Sequence, residues 1–171
     1  MLCRQGVKWI YCLPDDYSWR CPFPVGRDYA FQDKDGRTRL IIKSDGTLTV
    51  TKGYAWDGCS PKFCFLDLVI GTPDGVVFAG TGQPKTYFAS LVHDALYQFL
   101  PDGLPLSRAQ ADRCFLLLMS KSEFRLRYLY YAAVRLCGWI TLPITRRIRR
   151  YKGRRLDLRE LERIESGLTT G

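Results

Sequence analysis

The sequence predicts an α+β fold in which an N-terminal antiparallel β-meander packs against a C-terminal bundle of two to three helices, followed by a basic arm. Two observations predict this fold: tight-turn signals dominate the first half, and apolar residues recur at helical spacing in the second half. We expect a single α+β domain over residues 1–145, and the arm with a short helix over residues 146–171.

The meander is predicted from two Asp-Gly pairs, Asp35-Gly36 and Asp45-Gly46, which are flanked by short apolar and β-branched runs. Because Asp-Gly accepts the positive φ angles of tight hairpin turns, residues 27–51 are expected to form three strands. Three prolines between positions 14 and 24 predict a loop-rich start with at most one edge strand, near residues 7–12.

Four helices are predicted after the meander. Residues 85–100 carry apolar side chains every three or four positions, which predicts a helix with one buried stripe. Ser107 and Gln110 have the form of a capping box, which predicts a second helix ending at about Lys121. A third helix is expected from a cap at Ser122 over residues 123–141, and a last short helix over residues 156–166.

The charge is concentrated towards the C-terminus. The net charge is +9, with 11 Lys and Arg against 10 acidic residues in positions 1–100, and 15 against 7 in positions 101–171. An aromatic fraction of 13% excludes a mainly disordered chain. We therefore expect any basic binding surface to be C-terminal.

The cysteines and the N-terminus predict a reducing compartment. The seven cysteines are an odd number and contain no CxxC pair, so a disulfide framework is not expected. The first apolar run is short and interrupted by Lys8, unlike a secretory signal peptide. We expect a cytoplasmic protein that is not secreted by a signal peptide.

The basic arm has its highest charge density in residues 146–155, which contain seven Lys and Arg and no acid. Such a run binds nucleic-acid phosphates or an anionic membrane surface without reading sequence, although a solvated tail is the plainer alternative. The apolar run before it, residues 128–145, contains Arg135 and Pro143, which favours a core or interface helix over a membrane span; interfacial membrane docking is the alternative. The candidate binding residues of the arm are Arg146, Arg147, Arg149, Arg150, Lys152, Arg154 and Arg155.

Three polar clusters interrupt otherwise apolar sequence and carry the candidate site. They span residues 54–61, 91–97 and 109–115, and the second contains His93, the only histidine of the sequence. The candidate catalytic residues in these clusters are His93, Asp94, Asp57, Asp112 and Ser60, with Cys59 as an alternative nucleophile.

The clusters resemble a family of phage and prophage proteins, domain of unknown function 1353. In that family a Trp-Asp-Gly-x-Ser-x-Pro element, a His-Asp-x-Leu-Tyr helix and an Ala-Asp-x-x-Phe helix follow in this order. The resemblance covers residues 27–138, although Pro61 follows Ser60 directly here. It implies a phage origin and an α+β fold and no established activity. The arm lies outside the resemblance, and Cys59 stands where the family has a small residue.

Metal binding is one interpretation of the candidate site. His93, Asp94 and Asp112, together with Asp57, offer one imidazole and several carboxylates, a set that suits Mg²⁺ or Mn²⁺ better than Zn²⁺. Phosphohydrolases built on a His-Asp dyad need further histidines, which this sequence lacks.

Two other interpretations stay open. Cys59 or Ser60 is a possible nucleophile with His93 as its base, although the glycine of a nucleophile elbow is missing. Alternatively, His93 and Asp112 hydrogen-bond each other across two packed helices and serve only to fix their register.

We therefore expect a phage-encoded binding or assembly component, associated with the virion, which docks through the basic C-terminal arm and the 123–141 helix. The expected partners are other phage proteins or copies of the chain, in the host bacterial cytoplasm and in the virion. The alternative is a small metal-dependent hydrolase that uses a His-Asp dyad, with His93, Asp94, Asp112 and Asp57 as its residues, in which case a divalent metal is the expected cofactor.

Overall fold

The computed structural model describes residues 11–56, 58, 64–65, 68–69, 77–136 and 153–166. The strands, in chain order, are β1 (Tyr11–Cys12), β2 (Tyr17–Arg20), β3 (Tyr29–Gln32), β4 (Thr38–Ile42), β5 (Thr47–Val50), β6 (Ala55–Trp56), β7 (Cys64–Phe65), β8 (Leu68–Val69), β9 (Val77–Phe78), β10 (Gln83–Pro84) and β11 (Arg154–Asp157). The helices are α1 (Tyr87–Phe99), α2 (Arg108–Lys121), α3, described over 127–136, and α4 (Leu158–Glu165).

A five-stranded antiparallel sheet, with strand order β11-β3-β4-β5-β2, confirms the predicted meander and extends it at both edges. Strands β3, β4 and β5 pair in chain order, as the two Asp-Gly turns predict. Strand β11 pairs with β3 at one edge, and β2 pairs with β5 at the other. Three two-stranded pairs accompany this sheet: β1 with β6, β7 with β8, and β9 with β10.

The turn between β4 and β5 requires glycine. Gly46 has a φ of +87°, and a Cβ added there would lie 2.6 Å from the carbonyl oxygen of Cys21. A side chain at this position would therefore strain the backbone and displace the start of the β2–β3 connection.

The inner face of the sheet is buried, and the outer face is covered at one edge. On the inner face, the fully buried side chains of Phe31, Leu40 and Val50 lie in one cross-strand row and belong to the core formed with α1 and α2. On the outer face, Ala30 of β3 opposes Leu156 of β11, and Leu161 of α4 completes this small buried cluster. Helix α4 thus covers the β11–β3 edge of the outer face.

The helices follow the sequence pattern closely. Helix α1 buries the stripe predicted for residues 85–100, and the second predicted helix ends at Lys121, as expected. The capping box is confirmed, because the Ser107 hydroxyl accepts a hydrogen bond from the Gln110 backbone N–H while the Gln110 side chain accepts one from the Ser107 N–H. The result is the predicted α+β arrangement, with three helices packed together behind the sheet.

Two local predictions are wrong. Ser122 does not cap the third helix; it is the C-cap of α2, and Glu123 then adopts a φ of 55°, which turns the chain before α3 begins at residue 127. The region before residue 25 holds a second strand, β2, in addition to Tyr11–Cys12. The prolines at 14 and 22 flank β2 and lie outside it, so they do not interrupt its pairing with β5.

The C-terminal segment differs from the predicted helix over 156–166. Residues Arg154–Asp157 form strand β11, and helix α4 starts at Leu158. The sequence of this short strand shows no alternation of apolar and polar residues, because Arg154 and Arg155 precede Leu156 and only that leucine enters the core. Residues 146–152 and the distal part of the predicted third helix lie outside the described residues.

Candidate functional site

A buried carboxylate, Asp112 of α2, is the centre of the polar groups that the helices bring together. Its side chain has no solvent exposure, and donors from α1, α2 and α3 surround both of its oxygens. We call the group formed by His93, Tyr97, Arg108, Asp112 and Arg135 the Asp112 cluster.

Helix α1 supplies two donors to the same carboxylate oxygen. His93 and Tyr97 are one helical turn apart, so they share a face of α1. His93 Nε2 lies 3.1 Å from Asp112 Oδ1, and the Tyr97 hydroxyl donates to that oxygen at 2.5 Å. The His93 ring also packs against the rings of Tyr97 and Phe115, with centroids 4.1 and 4.8 Å away. The imidazole is therefore fixed in orientation and 7% exposed.

Two arginines face the other oxygen. Arg135 Nη1 of α3 donates to Asp112 Oδ2 at 3.1 Å, and Arg108 Nε lies 3.7 Å from the same oxygen. Arg108 also donates to the Tyr97 hydroxyl oxygen at 3.2 Å and to the backbone carbonyl of Arg135. The Asp112 carboxylate thus connects α1, α2 and α3, through its own contacts and through Arg108.

The electrostatics of the cluster keep Asp112 ionised. Burial alone would raise the pKa of Asp112, but hydrogen bonds from His93, Tyr97 and Arg135 outweigh it, so the pKa lies below its ordinary value. Burial and the hydrogen bond to the Asp112 carboxylate raise the pKa of Tyr97, which keeps its hydroxyl protonated as a donor.

The chemistry open to the cluster depends on which polar atoms are not already used in hydrogen bonds between its members. Because a carboxylate only accepts hydrogen bonds, His93 Nε2 carries the proton, and in the neutral ring Nδ1 is the acceptor. This Nδ1 lies 4.0 Å from Asp94 Oδ1. A base oriented by a carboxylate is the arrangement that activates a nucleophile. Both Asp112 oxygens are already engaged by donors, which leaves no unshared ligand atom on that residue.

The structure brings together part of the predicted site. It joins His93 to Asp112 across α1 and α2, as the structural interpretation predicts, with Asp94 beside the imidazole. Among the described residues, no group of three or more His, Cys, Asp and Glu side chains is spaced to hold a metal ion. Asp57, Cys59 and Ser60 lie outside the described residues, so the metal and nucleophile interpretations that include them stay predictions.

Sequence reasoning missed Tyr97, Arg108 and Arg135. Two of them carried a signal, because Tyr97 follows His93 by four residues and Arg108 precedes Asp112 by four, the spacing of neighbours on a helix face. Arg135 carried no such signal, because it contacts Asp112 from a separate helix. The candidate binding residues Arg154 and Arg155 lie on β11, where Arg155 Nη1 donates to the Gly103 carbonyl at 2.8 Å. The other five binding candidates, at positions 146, 147, 149, 150 and 152, lie outside the described residues.

A polar stripe on α1 links the cluster to the first sequence motif. Thr86, Ser90, His93 and Tyr97 recur along one side of the helix, and the first three are buried. The indole N–H of Trp56 donates to the Ser90 hydroxyl at 3.2 Å, so the residue before Asp57 is anchored to this stripe. The Thr86 hydroxyl has no hydrogen-bond partner within the described part of the chain.

Helix α3 presents large apolar side chains to solvent. Leu129 is 59% exposed, Leu136 73% and Tyr128 64%, whereas Val134 on the opposite side is 5% exposed. We call the surface formed by Tyr128, Leu129, Ala132 and Leu136 the α3 face.

A separate cavity of about 140 Å³ lies between β2, α1 and the end of α2. Its walls include the stacked rings of Tyr17 and Phe88, whose centroids are 4.2 Å apart. None of the residues that line it belongs to the Asp112 cluster. Burial raises the pKa of Tyr17 to about 12, so this hydroxyl is neutral in the cavity wall.

Comparison with family models, curated proteins and solved structures finds no match to this chain. Within the described ranges, no helix has the length and apolar character needed to cross a bilayer. The likeness to domain of unknown function 1353 therefore rests on the sequence motifs alone.

Proposed function

We propose that the chain is a phage-encoded binding or assembly component, associated with the virion, which docks on its partner through the α3 face and the basic residues 146–155. Its partner in this role is a surface at the site of particle assembly: another phage protein, a copy of the chain, nucleic acid or an anionic membrane surface. The phage origin rests on the motif resemblance, and the docking role rests on the geometry of α3.

The exposed apolar face of α3 is the observation that carries the proposal. Leu129 and Leu136 are seven positions apart, so they lie on the same side of the helix. Leaving both more than half exposed forgoes the stabilisation that burial of leucine provides, roughly 1.5–3 kcal/mol for each side chain. Covering this face with a partner recovers that stabilisation.

The Asp112 cluster supports the same function, because it fixes α3 in place. Arg135 donates to Asp112 from the flank of α3, while the N–H groups of Arg108 reach the backbone carbonyl at the same end of the helix. A docking helix held by buried charge pairs keeps its exposed face preformed, which lowers the entropic cost of binding. The cluster then needs no substrate.

The test compares assembly of matched variants. The double variant Leu129→Ser/Leu136→Ser removes the centre of the α3 face, and Val77→Ser removes an apolar side chain that is 56% exposed elsewhere. Each chain replaces the wild type in a phage genome that encodes it, and mass spectrometry measures its copy number in purified particles. Sedimentation velocity of the purified chains measures self-association over a range of concentrations.

We expect the wild type and Val77→Ser to enter particles or to self-associate, and the double variant to do neither while remaining folded by circular dichroism. The proposal is overturned if the wild type is monomeric at every concentration and absent from particles, or if the double variant assembles as the wild type does.

A metal-dependent hydrolase is the second candidate, and one observation favours it: His93 is held by a buried carboxylate, with its second nitrogen facing away from that partner. Elemental analysis of chain purified without chelator tests this candidate. It requires about one Mg²⁺, Mn²⁺ or Zn²⁺ for each chain, and loss of that metal in His93→Ala; a metal-free wild-type chain overturns it.

A further inference from the structure

We propose that the surface bound by the α3 face is an anionic lipid bilayer, with the leucines of α3 at the headgroup boundary and the neighbouring arginines on the lipid phosphates. This inference rests on the proposed docking role of α3 and names its partner. In this arrangement α3 lies along the membrane surface and does not cross the bilayer.

The side chains of α3 are arranged around the helix as a surface-lying helix requires. At about 100° per residue, Leu136 falls about 20° from Leu129, with the exposed Ala132 between them. Tyr128, which is 64% exposed, lies on one flank of this line, and Leu126, which is 53% exposed, lies in the turn before α3. Val134 and the ring of Tyr130 face the other way, into the protein. The apolar side is therefore continuous and accessible.

Basic residues lie next to this apolar side. Arg125 is exposed and lies in the turn that precedes α3. The Arg127 guanidinium lies over the Tyr128 ring, 4.9 Å from its centroid. Residues 124–156 contain ten Lys and Arg and not one Asp or Glu, whereas residues 1–100 are almost balanced in charge. A basic stretch of sequence of this kind attracts an anionic surface.

The combination of an apolar centre with neighbouring arginines favours lipid over nucleic acid. Nucleic-acid phosphates pair with arginines but offer no apolar layer for leucine side chains that are more than half exposed. A bilayer offers both, because headgroup phosphates lie directly above the acyl chains. Tyrosine also suits the interface, since its ring is apolar and its hydroxyl remains hydrated.

The test uses the purified full chain and vesicles of defined composition. Co-sedimentation is measured with vesicles of phosphatidylcholine alone and with vesicles that contain about 30 mol% phosphatidylglycerol. The variants are Leu129→Ser/Leu136→Ser, Arg125→Glu and the control Val77→Ser, each checked for folding by circular dichroism. A fluorescent single-stranded DNA of mixed sequence is the competing ligand.

We expect binding to the anionic vesicles only, weakened about tenfold or more by the double serine variant and unchanged by Val77→Ser. Arg125→Glu and added salt are expected to weaken binding as well, since the attraction to headgroups is electrostatic. The inference is overturned if the anionic vesicles are not bound, if the leucine substitutions leave binding unchanged, or if DNA binds more tightly than the vesicles and without dependence on the leucines.

This outcome is separable from the proposed docking function. If the double variant fails to enter particles while the wild-type chain ignores vesicles, α3 docks on a protein, and the lipid inference alone is rejected. If the double variant behaves as wild type in both experiments, the docking role of α3 and the lipid inference are rejected together.

Discussion

Arg135 Nη1 of α3 lies 3.1 Å from Asp112 Oδ2 of α2, and the carboxylate it meets has no solvent exposure. This pair joins the helix that carries the exposed apolar face to the most buried charge among the described residues. Because His93, Tyr97 and Arg108 contact the same carboxylate, the position of α3 is coupled to the packing of α1 against α2.

Replacing Asp112 is therefore expected to destabilise the whole helical layer. Asp112→Ala leaves His93, Tyr97 and two arginines without their shared acceptor, and we expect the free energy of unfolding to fall by about 3 kcal/mol or more. Urea denaturation followed by circular dichroism measures it. Glu162→Gln, at an exposed position of α4, is the control and is expected to change stability by no more than about 0.5 kcal/mol. Equal stability of the two variants would contradict a stabilising role for the cluster.

The contribution of Asp112 is also expected to depend on pH. Its pKa is lower in the folded chain than the value of about 3.9 expected after unfolding. The stabilisation from its ionised form is thus complete above about pH 5, and it is lost as the pH falls through 3.9 and then through the lower folded pKa. Urea denaturation of the wild type and Asp112→Asn over this range measures the difference between them. We expect that difference to shrink in acid, and a difference that stays constant down to about pH 2 would show that Asp112 has an unshifted pKa.

The C-terminal strand is expected to be part of the stable fold. Leu156 is 2% exposed and packs with Ala30 and Leu161, so Leu156→Ala is expected to cost about 2–5 kcal/mol of unfolding free energy. Arg154→Ala removes a neighbouring side chain that is 65% exposed and serves as the control, with an expected cost below about 1 kcal/mol. Denaturation midpoints that do not differ between these variants would show that β11 adds nothing to stability.

The described cysteines are expected to react at different rates. Cys12 is exposed, whereas Cys21 and Cys114 are buried with their sulfur atoms 3.5 Å apart. The hydrogen bond that the Cys114 thiol donates lowers the pKa of Cys21, and acting as this donor raises the pKa of Cys114. Burial shields both thiols from reagents. Brief iodoacetamide treatment followed by peptide mapping is expected to modify Cys12 first, and Cys21 and Cys114 only after denaturation. Prompt modification of Cys114 in the native chain would contradict the packing of α2.

The parts of the fold that sequence predicts are those set by local rules. Asp35-Gly36 and Asp45-Gly46 specify their turns through the positive φ of glycine, and Ser107 with Gln110 specifies the start of α2 through its own hydrogen bonds. The strand at Arg154–Asp157 depends instead on a partner, Tyr29–Gln32, that lies far away in the chain. Its own pattern contains one buried residue, which is too little to indicate a strand.

The candidate site shows the same division. That His93 and Asp112 meet is predicted from two polar positions on adjacent apolar helices, but the number of donors around Asp112 is not. Tyr97 and Arg108 are visible through helical spacing, while Arg135 reaches the carboxylate only because α3 crosses the other two helices. Long-range packing of this kind leaves no mark in the local sequence.

Strand β11 also has a consequence for synthesis of the protein. The edge of β3 that it covers is translated before the residues that cover it, which lie about 120 residues further along the chain. Until those residues are made, the nascent chain exposes an unpaired strand edge, which favours incorrect pairing with another nascent chain. Synthesis of β11 and its pairing with β3 remove that possibility.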